Sequence, residues 1–239
     1  MKHTTDRLLE KYNTYRRRPT AEDPRMREFM FKSFHRTLNP WLPSEKEAEI
    51  LDIACGEGTL LLFLKNSGYQ SLHGFDYSPE NVKICHHLGL NFVQEHDALD
   101  IRKVYPEKKF DLIFLMDFLE HIPKQQVAQF LEDVSKKLKS GSSIIIQTPN
   151  MGSLIGVFHR YNDLTHEFAL TENTIFDLML LAGFDLNNIE IRPAWNATTI
   201  RGRLREIYLR ILHQLVFLAE DSNRPKIPTK NLLVRGIKR

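Results

Sequence analysis

From Glu49 onward, short apolar runs alternate with stretches of helical spacing, a texture that predicts successive βα units around a parallel sheet. The first run, Ala48 to Ala54, turns at Gly56 and Gly58 into a helix from Thr59 to Ser67 that Gly68 ends. Further strands are expected at Ser71 to Phe75, Asn91 to Gln94, Phe110 to Met116, Ser143 to Thr148 and Ile189 to Pro193. The FDLIFLM run beginning at Phe110 has the near-continuous apolar content of a strand buried on both faces. Ser78 as N-cap with Pro79 behind it opens the helix after the second strand. Val127, Phe130, Leu131, Val134 and Leu138 space another helix, whose lysine-rich end and Gly141 complement its dipole. Thr171-Glu172-Asn173 caps a third, with Ile175, Phe176, Leu178, Met179 and Leu181 running to Gly183.

Three segments depart from this rhythm. Residues 1–48 show helical spacing at Leu8, Leu9, Tyr12 and Tyr15 and again at Met26, Phe29, Met30, Phe34 and Leu38, punctuated by Pro19, Pro24, Pro40 and Pro43. They read as an N-terminal helical cap over the mouth of a core domain at 49–239. Tyr12 and Tyr15 are assigned to packing, with ligand cover as the alternative, and Arg16 to Arg18 to a solvated helix end, with an acidic substrate as theirs. Residues 151–170 are too long for a simple connection and read as an acceptor-side loop. Within 195–222, the span Ile200 to Leu218 carries a broad apolar face flanked by Arg201, Arg203, Arg205 and Arg210. Such a helix packs in a core or a homodimer, or lies on an anionic membrane surface.

Composition narrows the class. A chain of 239 residues, 42% hydrophobic and 26% charged, fits one α/β domain. The net charge of +3 is too small for a protein built mainly to bind nucleic acid, so no nucleic-acid partner is expected. Cys55 and Cys85 lack metal-ligand spacing and suit a reducing cytoplasm. No apolar run approaches the roughly 20 residues of a spanning helix, and none at the N-terminus has the form of a signal peptide. The expected location is cytoplasmic, at the inner face of the membrane if the basic helix meets lipid.

The candidate chemistry gathers where strands end. Gly56 and Gly58 permit positive φ and remove the Cβ that would hold a nucleoside off the backbone. The turn lacks the third glycine of a dinucleotide fingerprint and the Gly-Lys-Ser/Thr of a phosphate loop, so it is not built for a pyrophosphate. Asp76 closes the second strand, where a carboxylate accepts both hydroxyls of an adenosine ribose; a turn or capping aspartate is the alternative. Asp97, after the third strand, stands where it would accept from an adenine amine. Asp117 through His121 follow the fourth strand at the same edge.

LDIACGEGT, GFDYSPENV, EHDALD and FDLIFLMDFLEHI, in this order, resemble the successive motifs of class I S-adenosylmethionine-dependent methyltransferases. The likeness spans roughly Glu49 to Gly183. It implies a doubly wound, Rossmann-like α/β fold with a seven-stranded sheet, mostly parallel, in which the last strand, Lys230 to Ile237, inserts antiparallel. By the same resemblance Asp52, Gly56 and Gly58 border the methionine part of S-adenosylmethionine, Asp76 takes the ribose, Asp97 and Ala98 flank the adenine, Met116 and Asp117 line the floor, and Ala54 and Tyr77 are further cofactor-binding residues. The DFLEHI segment is similar to small-molecule O-methyltransferases of ubiquinone and surface-polysaccharide biosynthesis. In some ubiquinone-pathway relatives its Glu-His pair is linked to a divalent ion, which implies Glu120 and His121 as ligands for a cation such as Mg.

A sulfonium methyl needs little activation, so the protein must mainly align an acceptor oxygen and remove its proton. The segment Asp163-Leu164-Thr165-His166 resembles the D-x-x-H element that faces the acceptor in sugar methyltransferases, which makes His166 the expected general base, oriented by Asp163, with His121 as a second catalytic candidate. His159 and Arg160 are candidates for a phosphate or carboxylate. The expected acceptor is a hydroxyl of a sugar or lipid-linked saccharide. A quinone-type phenol, or a noncatalytic cofactor-binding protein, is the alternative.

Overall fold

Neighbouring residues of the inner strands point to opposite faces of the sheet and meet separate apolar layers, which is why the runs look unbroken in sequence. Leu51, Ile113, Leu115, Ile144 and Ile146 enter one layer, while Ile50, Leu112, Phe114 and Ile145 enter the other. The computed structural model describes residues 4–16, 20–219 and 224–239. Among them, the strands β1 (Ile50–Ile53), β2 (Leu72–Asp76), β3 (Gln94–Glu95), β4 (Phe110–Met116), β5 (Leu138–Pro149), β6 (Ile189–Pro193) and β7 (Asn231–Ile237) form one sheet in the order β3-β2-β1-β4-β5-β7-β6. β7 runs antiparallel between β5 and β6, and the pairings from β3 to β5 are parallel.

The helices are α1 (Thr4–Glu10), α2 (Tyr12–Arg16), α3 (Pro24–Thr37), α4 (Thr59–Asn66), α5 (Pro79–His87), α6 (Val127–Lys136), α7 (Gly156–Tyr161), α8 (Glu172–Leu181) and α9 (Ile200–Val216). The first apolar layer is closed by α6 and α8, through Phe130, Leu131, Val134, Ile175 and Met179. α3, α4 and α5 close the second, where Phe34 meets Phe63 at 5.6 Å between ring centroids. Strand order reverses between β1 and β4, so the crevice outside their carboxyl ends is the switch point at which open α/β sheets bind ligands.

Several local expectations change. Gly141 does not end α6, which stops at Lys136; with φ +76° it sits inside the longer β5, whose register against β4 shifts between Phe110 and Leu112. β3 shrinks to Gln94–Glu95. Ser78 is the N-cap of α5 by position, but its hydroxyl donates to the Glu10 carbonyl at 3.0 Å instead of capping. Residues 151–170 contain the short helix α7 and return to β5 through a bridge between Asn150 and Leu170. Arg17, Arg18 and Pro19 lie outside the described residues.

Candidate active site

A cavity of about 910 Å³ opens at the switch point. One wall comes from the turns after β1, β2 and β3, with Ala54, Gly56, Asp76, Tyr77, Asp97 and Ala98 on its surface; Met116 and Asp117 after β4 lie on the floor. Ala54 and Asp117 are non-glycine residues at φ +54° and +53°. That conformation costs an L-residue about 1–2 kcal/mol. Two such residues at the ends of adjacent strands mark the edge where backbone strain is held for a site. Asp117 is fixed by Gln147, whose amide donates to Oδ2 at 2.7 Å, and by Asn231, which donates to Oδ1 at 3.0 Å.

The two glycines of the first turn serve different ends. At Gly56 (φ +56°) an added Cβ would meet no protein atom within 4 Å, so its bare face looks into open space beside the cavity. At Gly58 (φ +72°) a Cβ would lie 2.6 Å from Leu90 Cδ1 and 2.8 Å from Cys85 Sγ. Gly58 therefore lets α4 start close against α5, and its missing side chain does not make room for a ligand.

Asp76 ties two turns together. Its Oδ2 accepts from the Gly56 N–H at 2.8 Å, while Oδ1 accepts from the Ser78 N–H at 2.9 Å and the Asn81 amide at 2.8 Å. A carboxylate has about four acceptor directions, so Oδ1 is filled and only Oδ2 keeps one for a ribose hydroxyl. This corrects the expectation that both oxygens would face the sugar. Burial pushes the Asp76 carboxyl upward in pKa against the pull of these donors. Asp97 turns Oδ1 back onto the Leu99 N–H at 2.9 Å, capping its own turn while still lining the cavity.

Asp52 does not line the cavity at all. It is 2% exposed inside β1, its Oδ1 meets no hydrogen-bond donor among the described residues, and burial, reinforced by Asp76, holds its carboxyl well above the usual range. Its influence on a ligand is exerted from behind the turn.

The opposite wall gathers the acceptor-side candidates. His121 and His166 stand with ring centroids 4.9 Å apart. Asp163 Oδ1 accepts from the Thr165 N–H at 3.0 Å and the Thr165 hydroxyl at 2.6 Å. His121 Nδ1 lies 2.9 Å from that hydroxyl oxygen and 3.3 Å from the Thr165 carbonyl. With the hydroxyl proton given to Asp163 and a carbonyl that only accepts, His121 Nδ1 carries the proton and Nε2 is the basic nitrogen. Asp163 reaches His166 only at 3.8 Å, an ion-pair distance longer than a hydrogen bond. Its Oδ2 accepts from the Tyr12 hydroxyl at 3.2 Å.

Glu120 is buried beside this pair and accepts from the Thr148 hydroxyl at 3.1 Å. Burial first, then Asp117 and Asp163, push its carboxyl well above the usual range. One ligand atom each from Glu120, His121 and His166 fall within 4.8 Å of one another. His159 lines the cavity, but Arg160 does not: its guanidinium donates to the His166 and Glu167 carbonyls at 2.6 and 3.0 Å and straps the loop.

Tyr12, assigned above to packing with ligand cover as the alternative, lines the cavity, whereas Tyr15 is exposed. Lys230 and Asn231 reach the site because β7 inserts beside β5. Thr165 had a legible sign, a hydroxyl two residues after an aspartate, the spacing of an Asx turn.

With this geometry in hand, likeness to known proteins is informative. Residues 24–214 match the family model of the methyltransferase domain. The chain belongs to this family. Among curated relatives, ajmaline N-methyltransferase of Rauvolfia serpentina is 32% identical over 111 residues, 44% of this chain and 37% of that protein. A probable tocopherol O-methyltransferase of Oryza sativa subsp. japonica is 28% identical over 44% of this chain and 30% of its own, and a tRNA U34 carboxymethyltransferase of Pseudoalteromonas translucida is 26% identical over 46% and 35%. The chain thus spans about a third of the length of these relatives, between 30% and 37%. A SAM-dependent methyltransferase of Archaeoglobus fulgidus superposes with a TM-score of 0.66 at 24% identity, covering 88% of this chain and 93% of that one. One from Thermotoga maritima gives 0.65 at 18%, covering 98% and 100%. The shared fold is the Rossmann-like methyltransferase fold. S-adenosylmethionine is the cofactor this family implies, and the methyltransferase chain fits it: Gly56 offers an open backbone face and Asp76 Oδ2 an acceptor beside the same cavity.

The two glycines make separable predictions. Gly56→Ala should lower the melting temperature by only a few degrees, for a left-handed Cβ cost of about 1–2 kcal/mol, and weaken S-adenosylhomocysteine binding by about tenfold or more in calorimetry. Gly58→Ala should cost about 2–5 kcal/mol of stability, the same left-handed cost plus about 1–3 kcal/mol for overpacking against Leu90; equal stability losses in the two variants would contradict the assignment.

Asp52 makes a pH prediction. Its unfolded pKa is about 3.9 and its folded pKa is raised, so from about pH 4 upward the folded chain keeps a proton that the unfolded chain releases. Stability falls as pH rises through that window, by at most about 1.4 kcal/mol per pH unit, and levels off above the folded pKa. Melting curves of Asp52→Asn against the unaltered chain should therefore diverge in the variant's favour with rising pH, and parallel curves would show that Asp52 ionises normally.

Proposed function

We propose that the chain transfers the methyl group of S-adenosylmethionine to a hydroxyl of a saccharide, free or lipid-linked. The observation that carries this reading is the wall facing Gly56, where His121, His166, Asn162, Asp163 and Lys230 converge. Imidazole, amide, carboxylate and ammonium groups suit a polyhydroxy acceptor, while Leu9, Tyr12, Phe118 and Ile122 on the same cavity are the contacts a quinone-type phenol would use. When bound, the cofactor supplies a methyl on a positively charged sulfur, activated for in-line displacement.

The protein's own part is to place the acceptor oxygen and take its proton. In our reading His121 is the base, because the contacts through Thr165 to Asp163 orient its ring and favour the tautomer protonated at Nδ1. We place the base at His121, a change from the expected His166, because Thr165 links its Nδ1 to Asp163 through contacts of 2.9 and 2.6 Å. The relatives' names cover nitrogen, oxygen and RNA acceptors, so the choice of oxygen rests on this pair of imidazoles.

A second reading has its own observation, the convergence of Glu120, His121 and His166. Two imidazole nitrogens and one carboxylate suit Mn, Fe or Zn better than Mg, which takes oxygen ligands. A divalent ion held there would supply Lewis-acid polarisation of an acceptor oxygen.

His121→Ala is expected to lower kcat by about 10²–10⁴-fold with cofactor affinity unchanged, and Thr165→Val by roughly tenfold through loss of ring orientation. A full rate in His121→Ala, with the loss appearing in His166→Ala, would return the base to His166. Incubation with labelled cofactor and sugar nucleotides, lipid-linked saccharides, phenols, amines and tRNA tests the acceptor; label confined to amine or tRNA overturns the proposal. For the metal, chelated protein should gain several degrees of melting temperature with Mn²⁺ or Zn²⁺, and Glu120→Gln should lose that gain. No shift in the unaltered chain would reject the ion.

A further inference from the structure

We infer that α9 is a membrane-docking helix that seats the protein on an anionic lipid surface. Its packed side is narrow, a stripe of Gly202, Glu206, Leu209, His213 and Phe217 in which the two polar side chains are both paired. His213 is buried with Nε2 3.2 Å from the Gly152 carbonyl, and Glu206 makes a two-pronged pair with Arg36 at 2.9 and 2.7 Å. On the side facing away from these contacts, Leu204, Ile207, Tyr208, Ile211, Leu215 and Leu218 recur three and four residues apart and are between 51% and 67% exposed. This reverses the usual arrangement of a surface helix, whose apolar stripe faces the core. Of the placements expected above, core, homodimer or membrane surface, the exposure excludes the core.

Charge decides what covers the stripe. Arg203 and Arg210 run along one edge of it and Arg201 and Arg205 along the other, while the single acid of α9, Glu206, is turned inward and paired. A second copy docked through this face by two-fold symmetry would set arginines against arginines with no outward carboxylate of α9 between them. An anionic bilayer accepts both features at once: apolar side chains enter the acyl boundary and guanidinium groups stay with the phosphates. Tyr208 is an interfacial residue on the same stripe. No helix among the described residues is long and apolar enough to cross a membrane, so the contact would lie in the plane of the surface. The inference does not depend on the identity of the acceptor.

The test is flotation of the full chain with vesicles of phosphatidylcholine alone or mixed with phosphatidylglycerol. Binding is expected to the mixed vesicles, to weaken in high salt, and to fall by about fivefold for each of Arg203→Gln and Arg210→Gln. Leu204→Ser with Ile211→Ser should abolish it. Unchanged S-adenosylhomocysteine affinity in every variant verifies that the fold survives. Failure of the unaltered chain to float with anionic vesicles overturns the inference. So does flotation that these variants leave unchanged, or a concentration-dependent dimer that the Ser variant dissolves without any lipid binding.

Discussion

The hydrogen bond from the Gly56 N–H to Asp76 Oδ2 is the contact on which the rest of the site depends. It joins the turn after β1 to the end of β2, and the same carboxylate holds the start of α5 through Ser78 and Asn81. A buried carboxylate with three donors is costly to place and costly to disturb, since each donor would lose its partner with it. Its grip explains how one face of Gly56 stays open while Gly58, two residues on, is pressed against Leu90 and Cys85. An open backbone and a packed backbone lie side by side because one faces the cavity and the other faces the next helix.

The site divides along the sheet edge into halves with different physics. The β1–β3 side presents backbone and carboxylates already committed to the protein, a rigid cradle that needs little reorganisation when a ligand arrives. The β4–β5 side presents titratable groups in pairs: Glu120 beside His121, and Asp163 reaching His121 through Thr165. In the proposed reading, proton transfer and ligand positioning fall to separate elements. The strained backbones at Ala54 and Asp117 mark where the halves meet.

Tyr12 crosses between them. From α2 it touches Asp163 by its hydroxyl and stands edge-on to His121 with ring centroids 6.2 Å apart, while its neighbour Thr14 donates to Glu80 of α5 at 2.7 Å. The N-terminal helices therefore contact the cradle side and the acceptor side together. Between β6 and β7, α9 turns its apolar stripe outward, so these added helices serve the surface as well as the site.

The sequence by itself determined the sheet and the cradle. Unbroken apolar runs can be buried only between two layers, glycines after the first run mark the turn, and β4 and β6 fall within the spans their patterns predict. Those signals are local, because periodicity and backbone freedom act within a few residues. Tertiary structure alone decided which way each shared group points: that Gly58 faces α5, that Asp76 spends Oδ1 on protein donors, that Asp52 lies behind the cavity, and that Thr165 stands between Asp163 and His121. It likewise brought Lys230 and Asn231 to the site by inserting β7 beside β5, and faced the stripe of α9 away from the body. Contacts between residues distant in the chain are set by packing, and a periodic pattern specifies that a face is apolar without specifying what it will meet.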